Sequence, residues 1–319
     1  MKTKSWLITA AVLFLIGCLL IGGAMMALQF DFSKFSTTKF ETNTHTVTDT
    51  FHSIALHTDT ADLTFAPAPD GQCKVTCYEP INEKHSVTIE DGVLTIRTQN
   101  TKKWYDYIGI HFITPKITVY LPQSQYQALT IREDTGDITL PEGFTFGSLD
   151  IAVSTGDIFC GASVLEQAKI KTSTGKIHLE NMSAGTLDLQ VSTGDVSVAD
   201  VACSGDMALR VSTGKAVLTN LTCVNFTTTG NTGDLIMKNV TAAGRFSIAR
   251  TTGDIRFDRC DATEITVTTD TGDVTGTLLS DKIFFATTDT GHVNVPKSTT
   301  GGKCEITTDT GNIKIQLAN

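Results

Sequence analysis

Apolar residues in this 319-residue chain recur in steps of two, and the two-step pattern itself returns every 19 or 20 residues. The marker of the longer period is Thr-Gly, which appears ten times at this spacing, from Thr135-Gly136 to Thr310-Gly311. Two places after the glycine stands an apolar residue in every repeat, as at Ile138, Ile177, Val196 and Ile313. Four places after, nine of ten are apolar, Gly276 being the exception. Five places before, the column runs from Ile131 through Leu189 to Ile306, broken by Thr228. A step of two is the strand period, and no segment of the repeats shows the i, i+3, i+4 spacing of a helix. Each repeat therefore predicts two short strands, a turn at Thr-Gly-Asp and a looser turn before the next repeat.

A unit of this length buries its apolar face only against copies of itself, which is the logic of a solenoid. The expected fold is all-β: a single-stranded parallel β-solenoid of 19–20 residues per coil. Each strand should pair with its equivalent one coil later, about 4.8 Å away. The coiling should be right-handed, as parallel crossovers are. Stacked threonines can hydrogen-bond along the ladder, and the glycine supplies a tight corner.

The pattern changes at the N-terminus. Leu7 to Leu28 are 22 consecutive uncharged, mostly apolar residues, about 33 Å as a helix, enough to cross a bilayer. Lys2 and Lys4 precede them and Asp31 follows, so the positive-inside rule puts the N-terminus in the cytoplasm and the repeats outside. Two alternatives stay open: a cleaved secretory signal, and lipidation at Cys18, since Leu15-Ile16-Gly17-Cys18 has the look of a lipobox. The expected organisation is a membrane anchor over 1–28, a polar tether over 29–50, irregular first coils and an N-terminal cap over 51–130, and the regular solenoid over 131–319.

Composition narrows the chemistry. A net charge of −9, with no basic run longer than Lys102-Lys103, argues against nucleic acid as a partner. Of eight cysteines, Cys18 lies in the apolar segment and Cys160, Cys260 and Cys304 fall at core positions. Cys73 and Cys77 would be about 13 Å apart on an extended strand, too far to bridge. Cys203 and Cys223 each lie nine residues after a corner glycine, so they stack on adjacent coils and form the candidate disulfide. No Cys/His spacing reads as a zinc site, the seven scattered histidines form no ligand set, and no cofactor is expected.

Two features invite a functional reading. The residue after the corner glycine is often aspartate, and Asp234, Asp254 and Asp273 form its longest unrelieved run. These three are the candidates for a cation site, against the alternative of solvated turn residues. The calcium-binding nonapeptide of toxin β-rolls is absent. The second feature is the insertion Lys102-Lys103-Trp104-Tyr105-Asp106-Tyr107. Its Trp104, Tyr105 and Tyr107 either close the end of the core or form an exposed contact for glycan, lipid headgroup or partner protein.

The repeats Val153-Ser-Thr-Gly-Asp-Ile158, Val191-Ser-Thr-Gly-Asp-Val196 and Thr251-Thr-Gly-Asp-Ile255, with the opening Ile54-Ala-Leu56 and Ala61-Asp-Leu63-Thr-Phe65, carry a resemblance. Over about residues 45–319 the chain resembles the bacterial DUF4097 family of β-strand repeat proteins, described as adhesin candidates. The resemblance implies a surface β-solenoid linked with adhesion or envelope stress. It defines no catalytic residues, so none is carried over. The expected function is a membrane-anchored, non-catalytic binding, adhesion or envelope-sensing module, with a cell-envelope glycan or surface protein as partner. The alternatives are a polysaccharide-acting β-helix enzyme, which would need clustered carboxylates in a long groove, and a purely structural envelope spacer.

Overall fold

The computed structural model describes residues 2–27, 29, 39–100 and 113–318. Helix Lys2–Ala27 comes first; its segment Trp6–Ala27 is long and apolar enough to cross a membrane. Among the described residues 24 strands follow, and they join one continuous sheet wound into about ten turns.

The regular coils are built as the periodicity predicts. Met207–Thr213 leads into the corner at Gly214 and Ala216–Cys223 leaves it. The first pairs in parallel with Phe226–Thr232 and the second with Leu235–Thr252. Matching positions stack: Leu209 on Thr228, Ala216 on Leu235, Leu218 on Met237. All six are buried. Phe226, Phe246 and Phe257 fill the same interior, with successive ring centroids 6.0 and 6.5 Å apart.

Glycine is obligatory at the corner. At Gly194 φ is +141°, and a Cβ there would sit 1.9 Å from the carbonyl oxygen of Gly175 in the preceding coil. The Gly194 N–H in turn donates to the Thr213 carbonyl of the next coil at 2.9 Å. A second corner also has a defined conformation. Asn181, Asp200, Asn220, Asn239 and Arg259, each six residues after a corner glycine, hold φ between 51° and 55°. Asn and Asp tolerate this left-handed region best. Their side chains form a ladder, with Asn220 Nδ2 donating to Asp200 Oδ1 at 2.7 Å and Asn239 Nδ2 to Asn220 Oδ1 at 2.9 Å.

The ends depart from consecutive winding. Coil Ser53–Pro67 pairs in parallel with Val93–Asn100 and Lys116–Leu121 on one side and with Gln125–Thr135 and Ile138–Leu140 on the other. At the other end, Ile255–Thr271 pairs with Gly302–Thr310, and Gly302–Thr310 pairs with Lys282–Thr290. The C-terminal coil is thus inserted beneath the coil that precedes it in sequence, correcting the expectation that each strand pairs one coil later throughout. Composition explains the exchange. Cys304, Ile306, Ile313 and Ile315 are fully apolar and buried, whereas Phe284, Ala286 and Val293 remain partly or wholly exposed. Pro296, which has no N–H to donate, stands just past Val293–Asn294 on the outermost coil.

The polar stretch before residue 51 also differs from a simple tether. Phe40–Val47 is a strand, antiparallel to Cys73–Pro80, which is itself antiparallel to Lys116–Leu121. Its alternation places Asn43, His45 and Val47 on one face, and Val47 packs against the core. Glu83–Glu90 and Val93–Asn100 form a hairpin through Asp91 and Gly92, at φ 51° and 73°, the left-handed pair a tight hairpin turn requires.

This register sets a stability test. Ile177→Asp or Val196→Asp places an unpaired charge at a position no more than 1% exposed, costing several kcal/mol. Lys171→Asp changes an exposed side chain and should fall within about 0.5 kcal/mol of wild type. Equal unfolding midpoints for the two classes would refute the register.

Candidate functional site

The repeated aspartates are occupied by the fold itself. Asp234 Oδ1 accepts the backbone N–H of Asp254 at 3.0 Å, and Asp254 Oδ1 that of Asp273 at 2.9 Å. Asp273 Oδ1 accepts from the Asn312 N–H at 2.7 Å, and Asn312 Oδ1 from the His292 N–H at 3.1 Å. The same bond joins Asp137 to Asp157, Asp157 to Lys176 and Asp195 to Lys215. Each carboxylate therefore satisfies an amide of the next coil. The column is a run of inter-coil clasps, more specific than a solvated turn and lacking the convergence of a cation cage.

Cys203 and Cys223 are free, buried thiols. Burial pushes them to about 11 and about 12. The two sulfurs are not bridged in this structure. Trp104, Tyr105 and Tyr107 lie outside the described residues.

A shallow groove of about 400 Å³ crosses the outer face near His57, Asp59, Arg132, Asp134 and Lys171. Burial lowers the His57 pKa, and Arg97 and Arg132 lower it further. Asp59 and Asp134 are exposed along it, whereas Glu133 is turned inward. Glu133 is 3% exposed; its Oε2 accepts from the Thr58 hydroxyl and its Oε1 from the Ala61 N–H. Burial raises its pKa to about 8, although the backbone N–H groups of Ala61 and Thr135 pull it down. Arg132 is tied to Asp150. Farther along the same inward column Arg250 is buried, and its Nη1 fills the space that a side chain at Gly230 would need.

The densest cluster of reactive groups has no counterpart among the sequence expectations. Cys77 Sγ, a carboxylate oxygen of Glu79 and a ring nitrogen of His85 lie within 4.8 Å of one another, all in buried residues. Cys77 and Glu79 alternate along Cys73–Pro80, so they share its inward face. His85 arrives from Glu83–Glu90 after the turn at Ile81 and Asn82. Its Nδ1 lies 2.6 Å from Glu79 Oε2, which also accepts the His85 backbone N–H at 2.8 Å. Asn43 Nδ2 donates to Glu79 Oε1 at 2.6 Å. Burial, reinforced by the Glu79 charge, pushes the Cys77 thiol up to about 12. A signal was present in the sequence: Glu79 continues the inward alternation of Cys73, Val75 and Cys77, and a carboxylate there must find partners inside.

Two measurements probe these assignments. Asp254→Asn keeps an acceptor oxygen and should be near neutral, whereas Asp254→Ala should cost about 1 kcal/mol. Millimolar calcium should leave the melting temperature unchanged; a rise abolished by joint Asn replacement of Asp234, Asp254 and Asp273 would make the column a cation site. For Glu133 the sign follows from its raised pKa. Between about 4.5 and about 8 the folded chain holds a proton that the unfolded chain releases. Its stabilising contribution is therefore complete below about 4.5, declines as pH rises and is lost above about 8, a span of about 3–5 kcal/mol. Relative to Glu133→Gln, the wild type should weaken from pH 5 to pH 9. Parallel stability profiles for the two proteins would refute the buried-acid assignment.

The fold has solved counterparts. A candidate lipid-binding protein and a candidate adhesin, both from Parabacteroides distasonis, each superpose with a TM-score of 0.51 at 13% identity, covering 88% of this chain and 98% of theirs. A candidate adhesin from Bacteroides fragilis aligns over 88% of this chain and 99% of its own, at 15% identity and a TM-score of 0.46. Among curated proteins none matches the sequence. The family model described as Toastrack DUF4097 matches residues 51–214 and 202–319, which together span most of the chain and every corner glycine. With its stacked Thr-Gly corners, this chain belongs to the DUF4097 family.

Proposed function

We propose that the protein is a membrane-anchored, extracytoplasmic binding module of the bacterial cell envelope, without catalytic activity. The observation that carries this reading is the joining of one apolar helix, Trp6–Ala27, to a long β-solenoid faced by repeated polar columns. The names of the solved relatives, candidate adhesins and a candidate lipid-binding protein, agree with a binding role.

A regular solenoid presents the same spacing many times. That suits a polymeric partner, such as an envelope glycan, or an extended surface of another envelope protein, where weak contacts add through multivalency. Trp104, Tyr105 and Tyr107 are the proposed aromatic contact, since flat rings combine large contact area with low entropy cost.

Two experiments test the proposal. A cysteine at exposed Ser212, in a chain otherwise stripped of cysteine, should react with an impermeant thiol reagent on intact cells. A cysteine beside Lys4 should react only after lysis. The reverse pattern would overturn the topology. The full-length protein in detergent should retain purified envelope glycan or a surface protein, and joint alanine replacement of Trp104, Tyr105 and Tyr107 should weaken retention at least tenfold. Hydrolysis of the glycan by the protein would overturn the non-catalytic reading.

A further inference from the structure

The cluster in the N-terminal cap contains more chemistry than the outer faces require. Cys77, Glu79 and His85 are 0%, 1% and 4% exposed. Glu79 is well supplied, accepting from the His85 N–H and from Asn43 and lying 2.6 Å from His85 Nδ1. With Nδ1–H donating to the carboxylate, the ring lone pair is on Nε2. That nitrogen is buried and has no hydrogen-bond partner. A buried polar atom without a partner is uncommon in folded proteins and calls for an occupant. A carboxylate holding Nδ1–H behind a free Nε2 is the arrangement that orients metal-binding histidines.

The neighbouring strand points the same way. His45 Nε2 is also buried without a partner. In the antiparallel register Asn43 stands opposite Cys77 and His45 opposite Val75, so His45 and Cys77 are diagonal neighbours on one face. Two imidazoles with unpartnered nitrogens thus share this face with a thiol and a carboxylate.

We propose that the cap binds one divalent transition-metal ion of the zinc type, through Cys77 Sγ and His85 Nε2, with Glu79 positioning the imidazole and His45 adjoining the site. Thiolate and imidazole ligands select zinc and its relatives over calcium or magnesium, which require oxygen. On binding, the Cys77 S–H bond breaks, its proton leaves to solvent and the sulfur–metal bond forms. Thiolate and Glu79 together balance the two charges of the ion. The ion would tie Cys73–Pro80 to Glu83–Glu90, two strands that do not pair with each other. The site is independent of whatever the outer faces bind.

The test uses the full-length protein in detergent, stripped with chelator and titrated with cobalt(II). One equivalent should bind with a near-ultraviolet sulfur-to-cobalt charge-transfer band, and zinc should displace it. Zinc should also raise the melting temperature, as any ligand of the folded state does. Cys77→Ser and His85→Gln should lose both responses, whereas Cys203→Ser, at a distant buried thiol, should keep them. Glu79→Gln should weaken binding about 10–100-fold. Circular dichroism checks folding of each variant, and Cys77→Ala supplies an apolar replacement if Cys77→Ser does not fold. A folded wild type that takes up no cobalt overturns the proposal. So does a cobalt band that survives Cys77→Ser or Cys77→Ala.

Discussion

The structure depends on how closely one coil approaches the next at the Thr-Gly corner. Each corner glycine lies with its Cα against a backbone carbonyl of the neighbouring coil, that of Ala61 for Gly136 and that of another corner glycine for the rest, where a Cβ would fall about 2 Å from oxygen. From Gly136 to Gly272, and at Gly311, the same residue gives its N–H to a threonine carbonyl in the coil on its other side. This contact explains the tripeptide as a unit. Threonine stacks on threonine, glycine permits the approach, and aspartate receives the amide that the approach brings within reach. With that spacing set, the apolar columns on either side must coincide, and alternation does the rest.

Much of this was legible in the sequence, for a physical reason. Stacking converts sequence period into spatial column, so Ile138, Ile177 and Val196 announce their burial by position alone. The aspartates were harder. A column of carboxylates read as charges looks self-repelling; only the coil spacing shows that Asp254 meets the amide of Asp273. Coil order at the ends was hidden as well, because Gly291 and Gly311 carry the same marker and differ only in the quality of their apolar columns. The strand Phe40–Val47 has little apolar content to announce it and acquires its place by pairing with Cys73–Pro80. The cap cluster was least legible of all, since Cys77 and His85 meet through a change of direction at Ile81 and Asn82 that no periodicity encodes.

The two ends of the solenoid are finished differently, and this gives the molecule a direction. At the end formed by the first coils the parallel stack is covered by antiparallel strands, and Lys84 pairs with Glu41 beside the buried Glu79. Such a cover blunts an edge that could otherwise pair with other chains. At the far end Lys282–Thr290 is the last strand, with Phe285 more than half exposed. The regular faces between the two ends therefore belong to a body that is closed by antiparallel strands at one end and open at the other.

The insertion of Gly302–Thr310 beneath Lys282–Thr290 bears on the order of folding. During synthesis residues 282–294 emerge first, yet their ladder partner is made only afterwards. Until it arrives, the edge of Ile255–Thr271 is open, and the earlier coil, bearing the same corner, could seat there prematurely. The growing chain must keep that coil waiting or release it again. The final coil thus acts as a keystone: the stack reaches its native order only when the last segment enters between two that were already made.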